Sequence, residues 1–324
     1  MPLVAVFALS ACSDEGDVDR TTDASMDFSG DSDGGVTHPD AAVDAPVGVD
    51  ATPGPDARAP SPDAEMFDAA APGLNVVFAS FNGMLLRVDP ATGAGVEVGL
   101  LRNAANETET YANTTMTWSG VGNTAFMVLN FANPVWGTAD LCTGLVTRGM
   151  MLTRAASPSL VVEGIAVHPN GTVYVSAGQS IPNSPISSHV GTLNLSTAVI
   201  TNLGMAAITI QNDVDLLFFK GTTLYGMDVA TNNNRLDIFT VDLGTGAITN
   251  TAMPTYASNQ VPLRLAYDAS RDKTFSWRAS DRNLLEIALV GNTVTPIGPT
   301  HTAGMYNNQL IRAFFVAPPP VCPL

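Results

Sequence analysis

The amino-acid sequence predicts an all-β fold assembled from repeated units of four short strands. After residue 74, short runs of Val, Ile, Leu, Thr, Phe and Tyr alternate with turns rich in Gly, Asn, Pro and Ser about every 8 to 12 residues. The same succession of strands returns with a period of roughly 50 residues. The first unit lacks its first strand, and a suitable strand occurs near the end of the chain. Together these three observations predict a β-propeller, in which four-stranded blades surround an axis.

A hairpin at residues 85–99, LLRVDPATGAGVEVG, shows the repeated pattern most clearly. Apolar residues occupy every second position from Leu86 and again from Val96, and a period of two is typical of a half-buried strand. The turn between the two strands contains Pro90 where proline is favoured and Gly93 where a positive φ is needed. We therefore interpret this segment as the third and fourth strands of a blade.

Four further units follow this hairpin. Their first and second strands are predicted at residues 116–118 and 125–129, 164–167 and 173–176, 215–218 and 224–227, and 264–267 and 274–277. Their clearest third and fourth strands are predicted at 191–196 and 199–204, 239–243 and 247–251, and 285–289 and 294–298. This count gives five blades. Six blades remain an alternative if residues 102–163 contain a degenerate blade, whereas a two-sheet sandwich explains neither the period nor the incomplete first unit.

The first blade is predicted to combine both ends of the body. Its second strand is residues 75–79, and its missing first strand is supplied by residues 310–316. Such closure removes an open sheet edge and ties the two ends of the ring together.

The hairpin at residues 85–99 resembles the LYxVDPATGAxTxVG-type repeats of bacterial extracytoplasmic propellers, in the broad quinoprotein-like and lactonase-like groups. The resemblance extends over the repeat pattern of the whole body and implies the propeller fold. It transfers no catalytic residue to this chain, because propellers include both enzymes and binding proteins.

The first twelve residues, MPLVAVFALSAC, form an apolar run that is too short to span a bilayer. Residues 9–12, LSAC, resemble the end of a bacterial lipoprotein signal peptide. The resemblance implies cleavage before Cys12, lipidation of that cysteine, and attachment of the mature protein to a membrane.

Residues 13–72 are predicted to be a disordered, acidic tether. They contain fifteen Asp or Glu and two Lys or Arg, with almost no large apolar side chains. Such a segment cannot bury enough apolar surface to offset its chain entropy, and its like charges and prolines keep it extended. The predicted organisation is therefore a signal peptide (1–12), a tether (13–72) and a propeller (73–324).

This organisation leads us to expect a lipid-anchored monomer of the cell envelope, in the outer membrane or periplasm of a Gram-negative bacterium. The propeller segment has a net charge near −3 and lacks a basic patch, so no nucleic-acid partner is expected. The expected partners are the membrane, through the anchor, and an unknown extracytoplasmic ligand or protein.

Two further cysteines, Cys142 and Cys322, are candidates for a disulfide, because exported proteins commonly oxidise paired thiols. The bond would fasten the C-terminal tail to the second blade. We place Cys142 in a loop between second and third strands, which lies at the opposite end of the blades from the tail. Because the tail would then have to cross a blade edge, the sequence leaves this pairing open.

Candidate binding residues lie in two long segments, 131–144 and 178–191, which we interpret as loops joining second to third strands. Loops on a rigid scaffold carry function more often than strands do. Phe131, Trp136, Asp140 and His189 are the candidates, and Trp136 could stack on a sugar or anchor a peptide. The competing interpretation is that Trp136 covers the blade core and His189 is a solvated loop residue.

A second group of candidates lies at the predicted mouth of the axial channel. These charged residues precede or begin the innermost strands: Glu163, Asp213, Asp215, Arg264 and Arg312. Convergent carboxylates could serve as an acid–base pair or bind a metal ion. The mixed signs favour ion pairs instead. No cofactor is expected, and a structural or axial metal ion remains open.

We therefore expect a surface-anchored, non-catalytic propeller that binds a ligand, glycan or protein outside the cytoplasm. One alternative is a hydrolase or lactonase-like enzyme with its site at the axial channel. Another is a structural component of an envelope assembly.

Overall fold

The structure, a computed structural model of the 324-residue chain, is an all-β propeller of five four-stranded blades, as the sequence predicts. It describes residues 74–111, 114–129, 133–154, 160–178, 189–204, 214, 216–230, 235–252, 254, 262–278, 282–299 and 311–322. The predicted signal peptide with Cys12, and the predicted tether, lie outside these residues.

Blade 1 combines the two ends of the body, and blades 2 to 5 follow along the chain. With strands numbered in chain order, the first strands of blades 1 to 5 are β23 (Ile311–Ala317), β6 (Thr114–Trp118), β11 (Val161–Val167), β15 (Leu216–Lys220) and β19 (Pro262–Asp268). The second strands are β1 (Val76–Phe81), β7 (Thr124–Leu129), β12 (Val173–Gly178), β16 (Thr223–Ala230) and β20 (Lys273–Arg278). The third strands are β2 (Met84–Val88), β8 (Val135–Asp140), β13 (His189–Asn194), β17 (Arg235–Val241) and β21 (Asn283–Ile287). The fourth strands are β3 (Gly95–Leu100), β9 (Leu145–Met151), β14 (Val199–Asn202), β18 (Ile248–Ala252) and β22 (Val294–Pro299).

The ring closes through blade 1, as predicted. Strand β23 pairs antiparallel with β1, so that Val77 lies opposite Val316. The five first strands contact one another in the order β6, β11, β15, β19, β23 and back to β6. Each first strand is thus an inner edge that faces the axis.

The alternative with six blades is wrong. Residues 102–163 form blade 2, the start of β11 and three short additional strands: β4 (Arg102–Asn103), β5 (Asn106–Thr110) and β10 (Thr153–Arg154). Strand β4 pairs in parallel with β9, and β10 pairs in parallel with β14. The chain therefore runs along the outer edge of the next blade before it enters that blade, which lengthens the connection without adding a blade.

The apolar core lies between neighbouring blades. In β1, Val76 and Phe78 pack toward blade 2, whereas Val77, Ala79 and Phe81 pack toward blade 5. Both faces of the strand are therefore buried, which explains why the sequence VVFASF is almost entirely apolar. Contacts of this kind, such as the edge-to-face packing of Phe81 on Trp277, hold adjacent blades together.

The turns between third and fourth strands, here called the outer turns, share one hydrogen-bond design in blades 1 to 4. In blade 4, Asp242 Oδ1 accepts hydrogen bonds from the backbone N–H of Gly244 and Thr245 and from the Thr245 hydroxyl. These bonds, led by the one from the Thr245 hydroxyl, lower the pKa of Asp242. Asp89, Asp140 and Asn194 occupy the equivalent positions. The Asp-Pro-Ala-Thr-Gly signal in the sequence is therefore a turn-stabilising device.

Glycines allow the outer turns to pack against the preceding blade. Gly246, with a φ of 73°, lies in the outer turn of blade 4, and a Cβ there would come within 2.5 Å of the Leu203 carbonyl oxygen of blade 3. A Cβ on Gly298 of blade 5 would lie 2.1 Å from the Thr92 carbonyl oxygen of blade 1. These backbone approaches leave no room for a side chain.

A disulfide joins Cys142 to Cys322, with their Cα atoms 5.5 Å apart. Cys142 lies in the outer turn of blade 2, and the prediction that it lies between second and third strands is wrong. Outer turns are at the same end of the strands as the end of β23, so the tail does not have to cross to the opposite end. Asn123 also binds the tail, donating to the Val321 carbonyl at 2.7 Å and accepting from the Val321 N–H at 3.1 Å.

Candidate ligand-binding cavity

The five first strands surround a cavity of about 590 Å³, here called the axial cavity. Its wall contains residues from every first strand and from the turns that join first to second strands, here called the inner turns. The cavity opens at the inner turns, where lining residues such as Val121 and Asn170 are exposed. It lies on the axis because strands of all five blades contribute to it.

Four half-buried aromatic or imidazole rings stand near this opening, one from each of blades 2 to 5. They are Trp118, His168, Phe219 and Tyr267. Each ring lies at or next to the end of its first strand, so the propeller symmetry places them at one level. These four rings, here called the aromatic rim, form the mouth of the cavity together with non-aromatic residues of the inner turns such as Val121 and Asn170.

Contacts around the rim hold these rings in place. The Trp118 indole N–H donates to the Gly122 carbonyl oxygen at 3.0 Å. The His168 ring packs edge-to-face on Phe219, with ring centroids 5.0 Å apart. The rim is therefore preorganised for contact with a flat apolar group.

Tyr267 belongs to a charged cluster at the rim. Its hydroxyl donates to Asp272 Oδ1 at 2.8 Å, and the Lys220 ammonium lies 2.6 Å from the same oxygen and 5.1 Å from the centre of the Tyr267 ring. Burial, together with the hydrogen bond to Asp272, raises the pKa of Tyr267 to about 12. Tyr267 is therefore a protonated donor at neutral pH, and the charge of Lys220 is balanced by Asp272.

A second carboxylate, Asp268, ties the inner turn of blade 5 to blade 1. Its side chain is fully buried, forms a salt bridge with Arg271 and accepts hydrogen bonds from Ser270 and from the Asn75 side chain. Burial by itself would raise the pKa of Asp268, but the hydrogen bonds from Ser270 and Arg271 outweigh it and lower the pKa. Arg271 also donates to the Asn75 carbonyl oxygen at 2.7 Å.

Of the five charged residues predicted at the channel, Arg312 lines the axial cavity. Glu163 and Arg264 lie within β11 and β19 and do not contribute to the cavity wall, and neither is without an interaction partner. Asp213 and Asp215 lie outside the described residues. The convergence of all five on one channel mouth thus stays a prediction.

The predicted binding segment 131–144 is mostly not a loop. Trp136 lies on β8, where its ring packs edge-to-face with Phe126 and covers Gly149; Asp140 ends the same strand and caps an outer turn. The sequence does not predict this strand, because Gly137 and the surrounding short side chains weaken its apolar pattern.

The second predicted segment, 178–191, has strand residues at both ends. His189 begins β13, half-buried and opposite Ala177. Phe131 and residues 179–188 lie outside the described residues.

The aromatic rim was not predicted from the sequence. Trp118, His168, Phe219 and Tyr267 were not among the predicted site residues. An aromatic or imidazole residue at or beside the end of the first strand recurs in four consecutive blades. This recurrence is visible in the sequence when the four first strands are aligned at the turns that follow them.

Within the residues that the structure describes, no group of three or more His, Cys, Asp or Glu side chains is placed to hold a metal ion. The same described ranges include no helix long and apolar enough to cross a membrane.

The sequence matches no family model and no curated protein. Among solved structures, a chain of a nidogen/laminin complex is 11% identical, with 75% of this chain and 98% of that chain covered and a TM-score of 0.49. A GH43 β-1,3-galactosidase is 10% identical, with coverages of 66% and 53% and a TM-score of 0.48. An auxiliary nutrient binding protein from Bacteroides thetaiotaomicron is 14% identical, with coverages of 68% and 56% and a TM-score of 0.40. None of these similarities assigns a function to this chain.

Proposed function

We propose that this protein is an extracytoplasmic, non-catalytic propeller that binds a small molecule in its axial cavity. The axial cavity itself is the observation that carries the proposal. Its volume of about 590 Å³ falls within the roughly 300 to 1,000 Å³ that is typical of small-molecule sites. Its wall is mainly apolar and aromatic with a few polar groups, which is the usual composition of such sites.

The proposed site differs from the loops that the sequence indicated. It lies at the inner-turn end of the propeller, where the five first strands end. Trp118 and Tyr267 at the mouth are held by hydrogen bonds to neighbouring turns, so a ligand would meet a surface that is already ordered.

A ligand screen with a blocked cavity tests this proposal. Thr117 is half-buried in the cavity wall, so Thr117→Trp fills the cavity; exposed Ala269 lines its mouth, so Ala269→Trp narrows the opening. Thr147→Trp places the same side chain on the exposed face of β9, away from the cavity, and is the matched control. At a concentration 100 times the Kd, a ligand stabilises the folded state by about 2.7 kcal/mol, which a thermal-shift screen detects.

The expected result is a small molecule that raises the melting temperature of the full chain and of Thr147→Trp but not of Thr117→Trp or Ala269→Trp. Because Ala269 is exposed, its variant keeps the test valid if Thr117→Trp fails to fold. Ligands that stabilise both cavity variants as much as the control would show that binding occurs elsewhere.

We also propose that the protein is a lipoprotein anchored in the cell envelope through Cys12. The lipobox-like sequence LSAC and the acidic tether support this proposal. The Cys142–Cys322 disulfide adds support, because structural disulfides persist in oxidising compartments outside the cytoplasm. Mass spectrometry of the mature N-terminus should find acylated Cys12; an unmodified chain that begins upstream of Cys12 would contradict the proposal.

A further inference from the structure

The axial cavity has an uneven distribution of charge. Arg312 is the only Lys, Arg, Asp or Glu among the described residues that line it. Arg312 is half-buried and forms no salt bridge with any residue that the structure describes. A guanidinium in a mostly apolar wall is costly unless an anion pairs with it.

Other cations at the rim differ from Arg312 because each has its own carboxylate. Lys220 is paired with Asp272 at 2.6 Å, and Arg271 is paired with buried Asp268 at 2.5 Å. An anion entering the cavity would therefore be attracted most strongly to Arg312.

The position of Arg312 along its strand sets the length of a suitable ligand. Arg312 and Val316 both line the cavity, and Val316 lies near the end of β23 at the level of the inner turns. Four residues of extended strand span about 13 Å. An anionic group at Arg312 would thus be roughly one nanometre away from the aromatic rim.

The wall between these two levels is mainly apolar, with Thr115 and Thr117 among its polar residues. Leu217, Leu265 and Phe314 contribute to it from three different blades. A single guanidinium balances one negative charge, so a dianion would leave one charge uncompensated beside this apolar wall. A planar carboxylate also matches the paired N–H donors of arginine.

We infer that the axial cavity binds an elongated aromatic monocarboxylate, with its carboxylate against Arg312 and its aromatic body toward Trp118, His168, Phe219 and Tyr267. This inference rests on the proposed function and specifies the class of ligand. The flat aromatic part of the ligand packs against the ordered rings of the rim, and the carboxylate neutralises the one unbalanced cation of the described wall.

Calorimetric titration of the full chain with biphenyl-4-carboxylate, and separately with biphenyl-4-carboxamide, tests the inference. The two probes have the same shape and differ in charge. We expect the carboxylate to bind about 10- to 100-fold more tightly than the amide, since a hydrogen-bonded charge pair would be lost with the amide. Octanoate, an aliphatic carboxylate, should bind more weakly than biphenyl-4-carboxylate.

Two substitutions locate the anion. Arg312→Gln should weaken carboxylate binding to the level of the amide, whereas Arg312→Lys should retain part of the preference. Arg148→Gln is the matched control, because Arg148 is an exposed residue on β9 that pairs with Glu109 away from the cavity. It should leave binding unchanged.

Equal binding of the two biphenyl probes, or a preference that persists in Arg312→Gln, would overturn the inference while leaving a ligand-binding cavity in place. Octanoate binding as tight as that of biphenyl-4-carboxylate would overturn the aromatic selectivity. If no probe binds but the thermal-shift screen finds a Thr117→Trp-sensitive ligand, the inference fails and the proposed function stands. If both experiments are negative, both proposals fail.

Discussion

The outer turns of this propeller share one structural design, whereas its inner turns differ from blade to blade. In blades 1 to 4 the outer turns repeat one design, in which an Asp or Asn side chain caps backbone N–H groups, and a glycine allows close packing against the preceding blade in blade 4. The inner turns differ from one another in length and in sequence: residues 119–123, 168–172, 221–222 and 269–272. The outer turns thus stabilise the packing of neighbouring blades, whereas the inner turns surround the axial cavity.

This difference suggests that the outer turns contribute mainly to stability and the inner turns mainly to ligand recognition. An outer turn is held by backbone geometry that only a few residue types can adopt. An inner turn is supported by the rigid strands on either side of it and can vary without disturbing the ring. Substitutions in the two kinds of turn should therefore have different consequences.

The largest effect is expected where an outer turn is fastened to the C-terminal tail. Replacing both Cys142 and Cys322 by Ser removes a disulfide that spans 180 residues. We expect a loss of up to about 5 kcal/mol in the free energy of unfolding, because the unfolded chain regains the entropy of a long open loop. Urea denaturation measures the loss. A reducing agent should produce it in the native sequence and have no effect on the double variant.

The next largest effect is expected at Asp268, which ends β19 directly before the inner turn of blade 5 and stabilises the scaffold. Asp268→Asn should cost about 2 to 4 kcal/mol, because Arg271 loses its buried partner. The folded-state pKa of Asp268 is below its ordinary value of 3.8. Its stabilisation is therefore complete above that value and is lost as the pH falls through the folded-state pKa.

Urea titrations between neutral and acidic pH measure this dependence. The stability of the native sequence should fall more steeply below about pH 4 than that of Asp268→Asn. Parallel curves for the two proteins would show that Asp268 does not contribute to acid sensitivity.

A smaller effect is expected when glycine is replaced by alanine, and its size should differ between an outer and an inner turn. Gly246 and Gly171 both have positive φ, at 73° and 88°. A Cβ at Gly246 would collide with the Leu203 carbonyl oxygen, whereas a Cβ at Gly171 would meet nothing within 4 Å. Gly171→Ala should cost about 1 kcal/mol from backbone strain alone, and Gly246→Ala a further 1 to 3 kcal/mol or so from crowding. Equal losses by urea denaturation would refute the contrast between outer and inner turns.

The smallest effect on stability is expected at Asp272, which is exposed at the rim. Asp272→Asn should leave the urea midpoint nearly unchanged but lower the pKa of Tyr267 from about 12 toward its ordinary value of 10.0. The ionised carboxylate accepts the phenol hydrogen bond and opposes deprotonation, and an amide does so less strongly. Spectrophotometric titration of the tyrosines of both proteins would detect the shift. Identical curves would mean that Asp272 does not raise this pKa.

The repeated parts of the molecule were the parts that the sequence could predict. The period of about 50 residues, the Asp-Pro-Ala-Thr-Gly turn and the late strand that completes blade 1 all report local backbone requirements, which act the same way in every blade. The strand β8 was missed because its sequence, VWGTAD, has little apolar alternation, and pairing with β7 and β9 determines its structure.

The cavity was less predictable because it depends on which residues the ring brings together. Arg312 was a candidate, but its relation to Trp118 and Tyr267 depends on three first strands that are up to about 200 residues apart in sequence. Likewise, whether Cys142 can reach Cys322 depends on which strand precedes Cys142. The sequence placed Cys142 after the second strand of blade 2, whereas it follows the third strand, and these two strands end at opposite ends of the blade.

The placement of β1 also determines how the molecule responds to mechanical force. Tension on the chain before residue 74 enters the fold at β1, an internal strand that is hydrogen-bonded to β23 on one side and to β2 on the other. Asn75, which directly precedes this strand, is held by hydrogen bonds with Asp268 and Arg271 of blade 5. A pull along the strand therefore loads many hydrogen bonds in shear and is shared between two blades. Pulling on the chain at residue 74 is therefore expected to require more force than peeling a strand from a free sheet edge.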